Sequence, residues 1–179
     1  MKIIRNSLKS KLNIRTEKDY PTKGIEFIDI NPLIMEKETF NEIIDRFVEY
    51  LKDTKLDYII APESRGFLFG GTIAKELNIG FVPVRKKGKL PPTTIEKSFD
   101  YEKEYGKDTL ELPKLVNKKY KGKKVFIVDD IYATGNTVKS IKNTLEELGA
   151  KVIGVGAIIN IIELNQDKEV FSLIDINEN

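Results

Sequence analysis

The apolar residues of the chain alternate between short continuous runs and helical spacing, a pattern that predicts strand–helix–strand units. The first unit has an apolar run at 58–61, a helical stretch from about Phe67 to Leu77 and another apolar run at 81–84. The same order returns downstream at residues 125–128, 138–148 and 152–159. Because strands separated by single helices need crossover connections, the sequence predicts that these strands run parallel.

Three further segments complete the predicted fold. An amphipathic helix is predicted over 40–51, with Thr39 as its N-cap, because apolar residues recur there at i, i+3, i+4 and i+7. Residues 170–174 are predicted to form an edge strand, and the weakly periodic segment 86–120 a long excursion that includes a mobile flap. The prediction is one α/β domain over residues 1–179, with a mostly parallel central sheet flanked by helices.

Charge and residue types limit the chemistry. A net charge of +2, from 30 basic and 28 acidic residues, gives no reason to expect nucleic acid or a membrane as a partner. Histidine and cysteine are both absent from the sequence, which excludes Ser–His and Cys–His nucleophiles and zinc sites with such ligands. The lack of cysteine and the charges within residues 1–6 predict a cytoplasmic protein.

Ligands of open α/β sheets bind at the carboxyl ends of the strands, so the loops after Ala61 and Val128 are the candidate sites. The second loop reads Asp129-Asp130-Ile131-Tyr132-Ala133-Thr134-Gly135-Asn136-Thr137. Backbone N–H groups at a helix start, two threonine hydroxyls and a glycine suit a phosphate. The Gly-Lys-Ser/Thr ending of a nucleotide-triphosphate P-loop is missing. The alternative interpretation is a capping Asp and a tight turn.

The segment from Val128 to Thr137 resembles the motif with which type I phosphoribosyltransferases bind phosphoribosyl pyrophosphate (PRPP). The resemblance implies that Asp129 and Asp130 hold the ribose hydroxyls and that the next residues hold the 5-phosphate. These residues, the phosphate loop, are Ala133, Thr134, Gly135, Asn136 and Thr137. Two carboxylates also favour a sugar carbon that becomes cationic as pyrophosphate leaves. Asn136 stands where the family often has Gly.

The loop after Ala61 resembles the pyrophosphate loop of adenine phosphoribosyltransferases. This loop, residues 63–66, reads Glu63-Ser64-Arg65-Gly66. The resemblance implies a cis peptide between Glu63 and Ser64, backbone N–H groups aimed at pyrophosphate, and Arg65 as a clamp on one of its oxygens. In the basic run at 85–89 it implies that Arg85 and Lys89 also bind pyrophosphate. The alternatives are a solvated loop charge at Arg65 and a solvated basic face.

The flap, about residues 86–108, contains Glu104-Tyr105-Gly106, which taken alone is typical of a turn. Its resemblance to the family's flap implies closure over the substrates, with Glu104 as the general acid–base for a purine ring proton and Tyr105 over the ribose. The segment at about 15–35 resembles the family's base-binding hood. There Phe27 and Ile28 would offer backbone groups to the base, and Phe27 and Ile131 would sandwich it. Ile28 stands where the family usually has Arg, and a short strand packed on the core is the alternative.

Together these motifs imply a purine-salvage enzyme that converts adenine and PRPP into AMP and pyrophosphate. The expected catalytic residues are Arg65, Glu104, Asp129 and Asp130, and the expected cofactor is Mg²⁺. The ion has no dedicated protein site and is held by substrate oxygens and water, with Asp129 or Asp130 as additional ligands. The family resemblance also implies a homodimer. Two alternatives remain open: another purine base (guanine, hypoxanthine or xanthine), or a PRPP-sensing regulator without catalysis.

One further motif is interpreted as structural. Gly154-Val155-Gly156 matches half of a dinucleotide-binding fingerprint, but it lies inside an apolar strand. The sequence therefore predicts close packing at these glycines.

Overall fold

The computed structural model describes residues 1–10, 12–20, 22–103, 106–116, 118–165, 167 and 169–177. The strands of the described residues are β1 (Lys2–Asn6), β2 (Arg15–Lys18), β3 (Glu26–Asp29), β4 (Tyr58–Pro62), β5 (Gly80–Lys86), β6 (Ile95–Lys103), β7 (Gly106–Pro113), β8 (Lys124–Tyr132), β9 (Lys151–Ile161) and β10 (Val170–Asn177). The helices are α1 (Asn31–Met35), α2 (Lys37–Leu51), α3 (Gly66–Glu76) and α4 (Asn136–Glu147), with a short 3₁₀ helix at Pro92–Thr94.

The central sheet of the described chain has eight strands in the order β1-β10-β9-β8-β4-β5-β7-β6. The inner strands, from β10 to β5, pair in parallel. Antiparallel strands complete both sides, β1 against β10 and the β6–β7 hairpin against β5. The predicted α/β fold with a mostly parallel sheet flanked by helices is therefore confirmed. Strands β2 and β3 form a separate two-stranded sheet, which is the predicted hood segment.

Both faces of the parallel strands are buried, as their nearly continuous apolar sequences require. Consecutive residues of β4 illustrate the alternation, because Ile59 packs into the core that contains α2 and α3, and Ile60 into the core that contains α4. A Cβ at Gly156 would lie 2.5 Å from the ring of Phe47, and one at Gly154 would lie 2.8 Å from the ring of Phe126. The prediction of close packing at these glycines is confirmed.

Three predicted elements were wrong in position. Helix α2 begins at Lys37, so Thr39 is buried within its first turn and is not the cap. The apolar periodicity starts later than the helix because the first turn is polar. Strand β10 is not an edge strand, because β1, whose side chains are exposed, pairs along its outer side. The third is β8, which was predicted to end at Val128 but continues to Tyr132.

The segment predicted as an irregular excursion is largely a β-hairpin. Strands β6 and β7 pair over most of their length, and β7 continues the sheet beyond β5. The apolar side chains of the hairpin alternate with charged ones, and Tyr101, Leu110 and Leu112 are buried. Frequent Lys, Glu and Thr on the outer face hid this period in the sequence. None of the helices in the described part of the chain has the length and apolarity needed to span a bilayer.

Candidate phosphate-binding site

The acidic pair lies at the end of β8, which runs through to Tyr132 instead of ending at Val128 as predicted. Pairing with β9 continues to Tyr132 and Asn160, and this pairing holds the carboxylates on regular strand backbone. Asp129 and Asp130 are 9% and 6% exposed. Burial raises the pKa of Asp129 well above its usual value, the neighbouring charge of Asp130 raises it further, and the backbone N–H of Asp130 and the charge of Arg65 oppose the shift.

Arg65 connects the acidic pair to the hood. Its Nε lies 2.6 Å from Oδ2 of Asp130, its Nη1 donates to the carbonyl of Ile28 at 3.3 Å, and its guanidinium carbon lies 5.4 Å from the ring centre of Phe27. The ion pair lacks hydrogen-bond geometry, and Oδ2 of Asp130 has no hydrogen-bond partner among the described residues. Arg65 is therefore not the solvated loop charge of the alternative interpretation. Its action on pyrophosphate stays a prediction.

The pyrophosphate loop packs tightly under the acidic pair. The peptide between Glu63 and Ser64 is cis, as the resemblance implied. A Cβ at Gly66 would lie 3.2 Å from Pro62 and 3.3 Å from Oδ1 of Asp129, so a glycine permits this approach. The loop thereby reaches the carboxylates at the end of the neighbouring strand.

The carboxylate of Glu63 faces β5. It accepts hydrogen bonds from Nε of Arg85 at 3.0 Å and from the backbone N–H of Lys86 at 2.9 Å. Burial acts to raise the pKa of Glu63, but these hydrogen bonds and the charge of Arg85 outweigh it, so the pKa is lowered. The guanidinium of Arg85 also lies 5.9 Å from the ring centre of Phe67. Arg85, predicted to bind pyrophosphate, is thus paired with Glu63 in this structure.

Two adjoining cavities lie over these residues. One, of about 290 Å³, is lined by the phosphate loop together with Tyr101, Glu102, Asp129, Ile131, Tyr132 and Val138. The other, of about 390 Å³, is lined by the pyrophosphate loop together with Phe27, Pro62, Lys86, Tyr101, Asp129, Asp130 and Thr137. Asp129, Tyr101 and Thr137 line both cavities, so the two form one continuous site. Lys89 is exposed and lines neither cavity, whereas Lys86 lines the second.

The phosphate loop ends at the start of α4. Gly135 has φ 79°, a conformation that favours glycine, and a Cβ there would collide with the hydroxyl of Tyr132. The helix begins at Asn136, and its first turn leaves backbone N–H groups free of helical partners. The first residues of the helix, Asn136 to Val138, line the first cavity. The N–H donors and the positive end of the helix dipole therefore lie beside this cavity, as an anion site requires.

The hood residues Phe27 and Ile28 lie in β3, and their side chains have different surroundings. Phe27 lines the second cavity and packs edge-on against Tyr20 at 5.2 Å between ring centres. The side chain of Ile28 is buried in the core, and its carbonyl accepts from Arg65. The predicted contact of its backbone with a base stays a prediction. Ile131 lines the first cavity and Phe27 the second, and their sandwich around a base stays a prediction.

Some residues at the site were missed or cannot be placed. Tyr101 in β6 is 6% exposed and lines both cavities, and only its alternation with exposed neighbours could have indicated this. Lys86, which lines the second cavity, was a less favoured candidate than Lys89, because the sequence does not show which lysine of a basic run lies beside the site. Glu104 and Tyr105 lie outside the described residues, so their predicted roles stay predictions.

Fold and site together define a class of protein. A mostly parallel sheet presents two buried carboxylates, a glycine turn into a helix N-terminus beside them, and an arginine-bearing loop on the neighbouring strand. Carboxylates accept from sugar hydroxyls, while helix N-termini and arginines bind phosphate oxygens. This is an α/β protein built to bind a phosphorylated sugar.

Comparison with known proteins identifies the family. The phosphoribosyl transferase domain family matches residues 34–178. The chain is 44% identical over 170 residues to the adenine phosphoribosyltransferase of Clostridium acetobutylicum, an alignment that covers 92% of this chain and 96% of that protein. It therefore belongs to the phosphoribosyltransferase family, among the adenine phosphoribosyltransferases.

Solved structures agree with this assignment. The crystal structure of adenine phosphoribosyltransferase from Thermoanaerobacter pseudethanolicus is 40% identical, with a TM-score of 0.82 over 91% of this chain and 95% of that chain. The enzyme from Saccharomyces cerevisiae is 37% identical, with a TM-score of 0.74 over 89% and 93% of the two chains. That structure is complexed with D-2,5-dideoxy-2,5-imino-altritol 1,6-bisphosphate and adenine.

Proposed function

We propose that the protein catalyses purine salvage by transferring the 5-phosphoribosyl group of PRPP to adenine, giving AMP and pyrophosphate. The observation that carries the proposal is the continuous site, in which Asp129 and Asp130 lie between the phosphate loop and the pyrophosphate loop. PRPP has a sugar diol between a phosphate and a pyrophosphate, which is the same order of groups. The base is assigned from the relatives, which are named for adenine.

The carboxylates act on the ribose in this proposal. Oδ2 of Asp130 is ion-paired with Nε of Arg65 at 2.6 Å but accepts no hydrogen bond among the described residues, and we assign it to accept from a ribose hydroxyl. When the bond from the anomeric carbon to pyrophosphate breaks, its electron pair leaves with pyrophosphate and positive charge develops on the sugar. The negative charge of the nearby acidic pair stabilises the developing positive charge. N9 of adenine then bonds to the carbon and loses its proton, for which Glu104 is the base predicted from the resemblance.

Magnesium is the proposed cofactor. The proposal is that substrate oxygens and water supply most of its ligands. Asp129 and Asp130 are hard oxygen donors beside the site and fit the ion as one or two ligands. When bound, the ion neutralises the charge of the diphosphate leaving group.

A pyrophosphate-release assay tests the proposed function. Purified protein is given PRPP and Mg²⁺ with adenine, guanine, hypoxanthine or xanthine in separate reactions, and release is expected with adenine. Release with another purine alone would move the base assignment and keep the mechanism. PRPP binding without release in every reaction would overturn the proposal in favour of a regulator.

Two properties of the whole protein are also proposed. We infer a homodimer from the family resemblance, and light scattering at several concentrations would reveal a monomer if that is wrong. We infer the cytoplasm because PRPP is highly charged and does not cross a bilayer unaided. Fractionation of cells that express the protein would test this.

A further inference from the structure

Asn165 and Asp167, which lie between β9 and β10, contact the phosphate loop and the residues that flank it. The side-chain nitrogen of Asn165 lies 2.8 Å from the carbonyl oxygen of Ala133 in that loop. The same nitrogen lies 3.0 Å from Oδ1 of Asn160 and 2.9 Å from the carbonyl oxygen of Ile161, at the end of β9. Asn165 therefore ties the loop to the neighbouring strand of the sheet.

This tie has a consequence for the front of the loop. In a trans peptide the C=O and the following N–H point in opposite directions within one rigid plane. A donor that holds the carbonyl of Ala133 from behind therefore turns the N–H of Thr134 away from itself. Thr134 lines the first cavity, where an N–H that points away from Asn165 can donate to an anion.

A second side chain holds both flanks of the loop. The carboxylate of Asp167 accepts a hydrogen bond from the hydroxyl of Tyr132 at 2.5 Å and lies 3.1 Å from Nζ of Lys139. Tyr132 ends β8 before the loop, and Lys139 belongs to the first turns of α4 after it. Nζ of Lys139 also donates to the carbonyl of Thr134 at 3.4 Å, which by the same argument orients the N–H of Gly135.

The two ties form one network, which we call the loop clamp. It consists of Tyr132, Lys139, Asn165 and Asp167. The backbone N–H of Asp167 donates to Oδ1 of Asn165 at 3.2 Å. This bond connects the contacts that Asn165 makes with those that Asp167 makes. Hydrogen bonds from Tyr132 and Lys139 lower the pKa of Asp167, so its carboxylate is ionised at neutral pH.

Asn165 and Asp167 line neither of the two cavities of the proposed substrate site. They line another cavity, of about 560 Å³, that includes Arg5, Ser172 and Asp175 and shares no lining residue with the two site cavities. Any effect of these side chains on phosphate binding must therefore pass through the groups that they hold, which are the loop backbone and the side chains of Tyr132 and Lys139. That makes them positioning residues and not catalytic ones.

We infer that Asn165 and Asp167 position the N–H groups of the phosphate loop for the 5-phosphate of PRPP, and so set the affinity for that group alone. The inference rests on the proposed function in one respect, the identity of the phosphate. Two residues outside the binding cavities thus control the affinity for the 5-phosphate end of the substrate and leave the affinity for the pyrophosphate end unaffected.

Calorimetric binding of two separate fragments tests this. Ribose 5-phosphate carries the 5-phosphate alone, and magnesium pyrophosphate probes the other end. We expect Asn165→Ala and Asp167→Asn each to raise the Kd of ribose 5-phosphate about tenfold, equivalent to one lost hydrogen bond of about 1.4 kcal/mol. The Kd of pyrophosphate should change less than twofold, and in turnover the KM for PRPP should rise while the KM for adenine does not.

Asp175→Asn is the matched control. Asp175 lines the same cavity as Asn165 and Asp167 and pairs with Arg5, but it has no hydrogen bond to the phosphate loop. It should leave both dissociation constants unchanged. The inference would be overturned if the Asn165 and Asp167 variants bound both fragments equally more weakly, or if their ribose 5-phosphate binding were unchanged. If Asn165→Ala does not fold, Asp167→Asn carries the test, since it replaces one oxygen by nitrogen.

The fragment measurements also separate this inference from the proposed function. A wild-type protein that binds ribose 5-phosphate but releases no pyrophosphate with any purine would end the proposal of catalysis. The predicted contrast between the two fragments could still be measured in that protein.

Discussion

The phosphate loop and the pyrophosphate loop lie side by side at the carboxyl edge of the sheet, but they are held in different ways. The phosphate loop is fixed by hydrogen bonds that its backbone carbonyls accept from Asn165 and Lys139, so its N–H groups are not used in these contacts. The pyrophosphate loop is fixed through its charged side chains, in the pairs Arg65–Asp130 and Arg85–Glu63. One loop is therefore organised before substrate binds, whereas the cations of the other must exchange or share their carboxylate partners.

This difference has an energetic reason. A backbone donor needs only orientation, and its partial charge costs little to leave beside water. A buried or half-buried guanidinium without a partner is much more costly, so it takes a carboxylate until an anion arrives. The pairs in the pyrophosphate loop thus keep the cations near the site in the absence of substrate.

The largest effect is expected at the junction of the two loops. Asp130→Asn removes the charge that faces the sugar, and it should lower kcat/KM for PRPP by about 10²–10³-fold, the size found for other transition-state charge contacts. Pyrophosphate release measures this. Asp45→Asn, an exposed carboxylate on α2, should retain full activity. Activity near that of the wild type in Asp130→Asn would remove the acidic pair from the mechanism.

Arg65→Gln addresses the pyrophosphate loop alone. Loss of one charge-assisted contact of about 1.5–3 kcal/mol should raise the Kd of magnesium pyrophosphate about 10–100-fold. Ribose 5-phosphate should bind with less than a threefold change in Kd. Calorimetry with both ligands is the measurement, and a larger loss for ribose 5-phosphate would contradict the assignment of Arg65 to pyrophosphate.

Gly135→Ala changes the phosphate loop, so here ribose 5-phosphate binding is expected to weaken. The new methyl group meets both a positive φ and the hydroxyl of Tyr132, so the loop must shift and ribose 5-phosphate should bind about tenfold more weakly. Gly122→Ala is a matched control, because Gly122 has φ 78° but no atom within 4 Å of the added Cβ. The control variant has the strain of an alanine at positive φ but no collision, and its affinity for ribose 5-phosphate should match that of the wild type.

The smallest effect concerns the pH dependence of stability in the pyrophosphate loop. The pKa of Glu63 is lowered in the folded protein, so its ionised form contributes stability above its ordinary value of 4.5, and this contribution is lost as pH falls through the folded pKa. Glu63→Gln should therefore lower the melting temperature at pH 7 by about 2–4 °C, equivalent to about 1 kcal/mol. The difference from wild type should shrink towards pH 4. A constant difference across this range would indicate that the charge of Glu63 is not the cause.

Local sequence predicted the parallel part of the fold well because its strands are buried on both faces and are almost wholly apolar. Residues 58–61 and 125–128 could be recognised for that reason, as could the helix face of α4. The hairpin of β6 and β7 was not recognised, because only one of its faces is apolar and charged residues interrupt the run. The end of β8 was misplaced because polar aspartates look like loop residues, whereas pairing with β9 keeps them in the strand.

The sequence by itself determined which chemical groups this protein can use. The absence of His and Cys left carboxylates, Lys, Arg, Tyr and backbone groups for the site, and the resemblance of the segment from Val128 to Thr137 to a known motif implied PRPP. Such motifs are readable because each is contiguous and its geometry follows from the start of a helix or the end of a strand.

Only the tertiary structure decided which groups contact one another. It paired Arg65 with Asp130 across two strands, placed Lys86 and Tyr101 at the cavities, buried Ile28, and brought Asn165 and Asp167 behind a loop some thirty residues earlier. These contacts depend on strand order and on how connections fold back over the sheet. Neither is encoded by local spacing, because distant segments meet only when the whole core is packed.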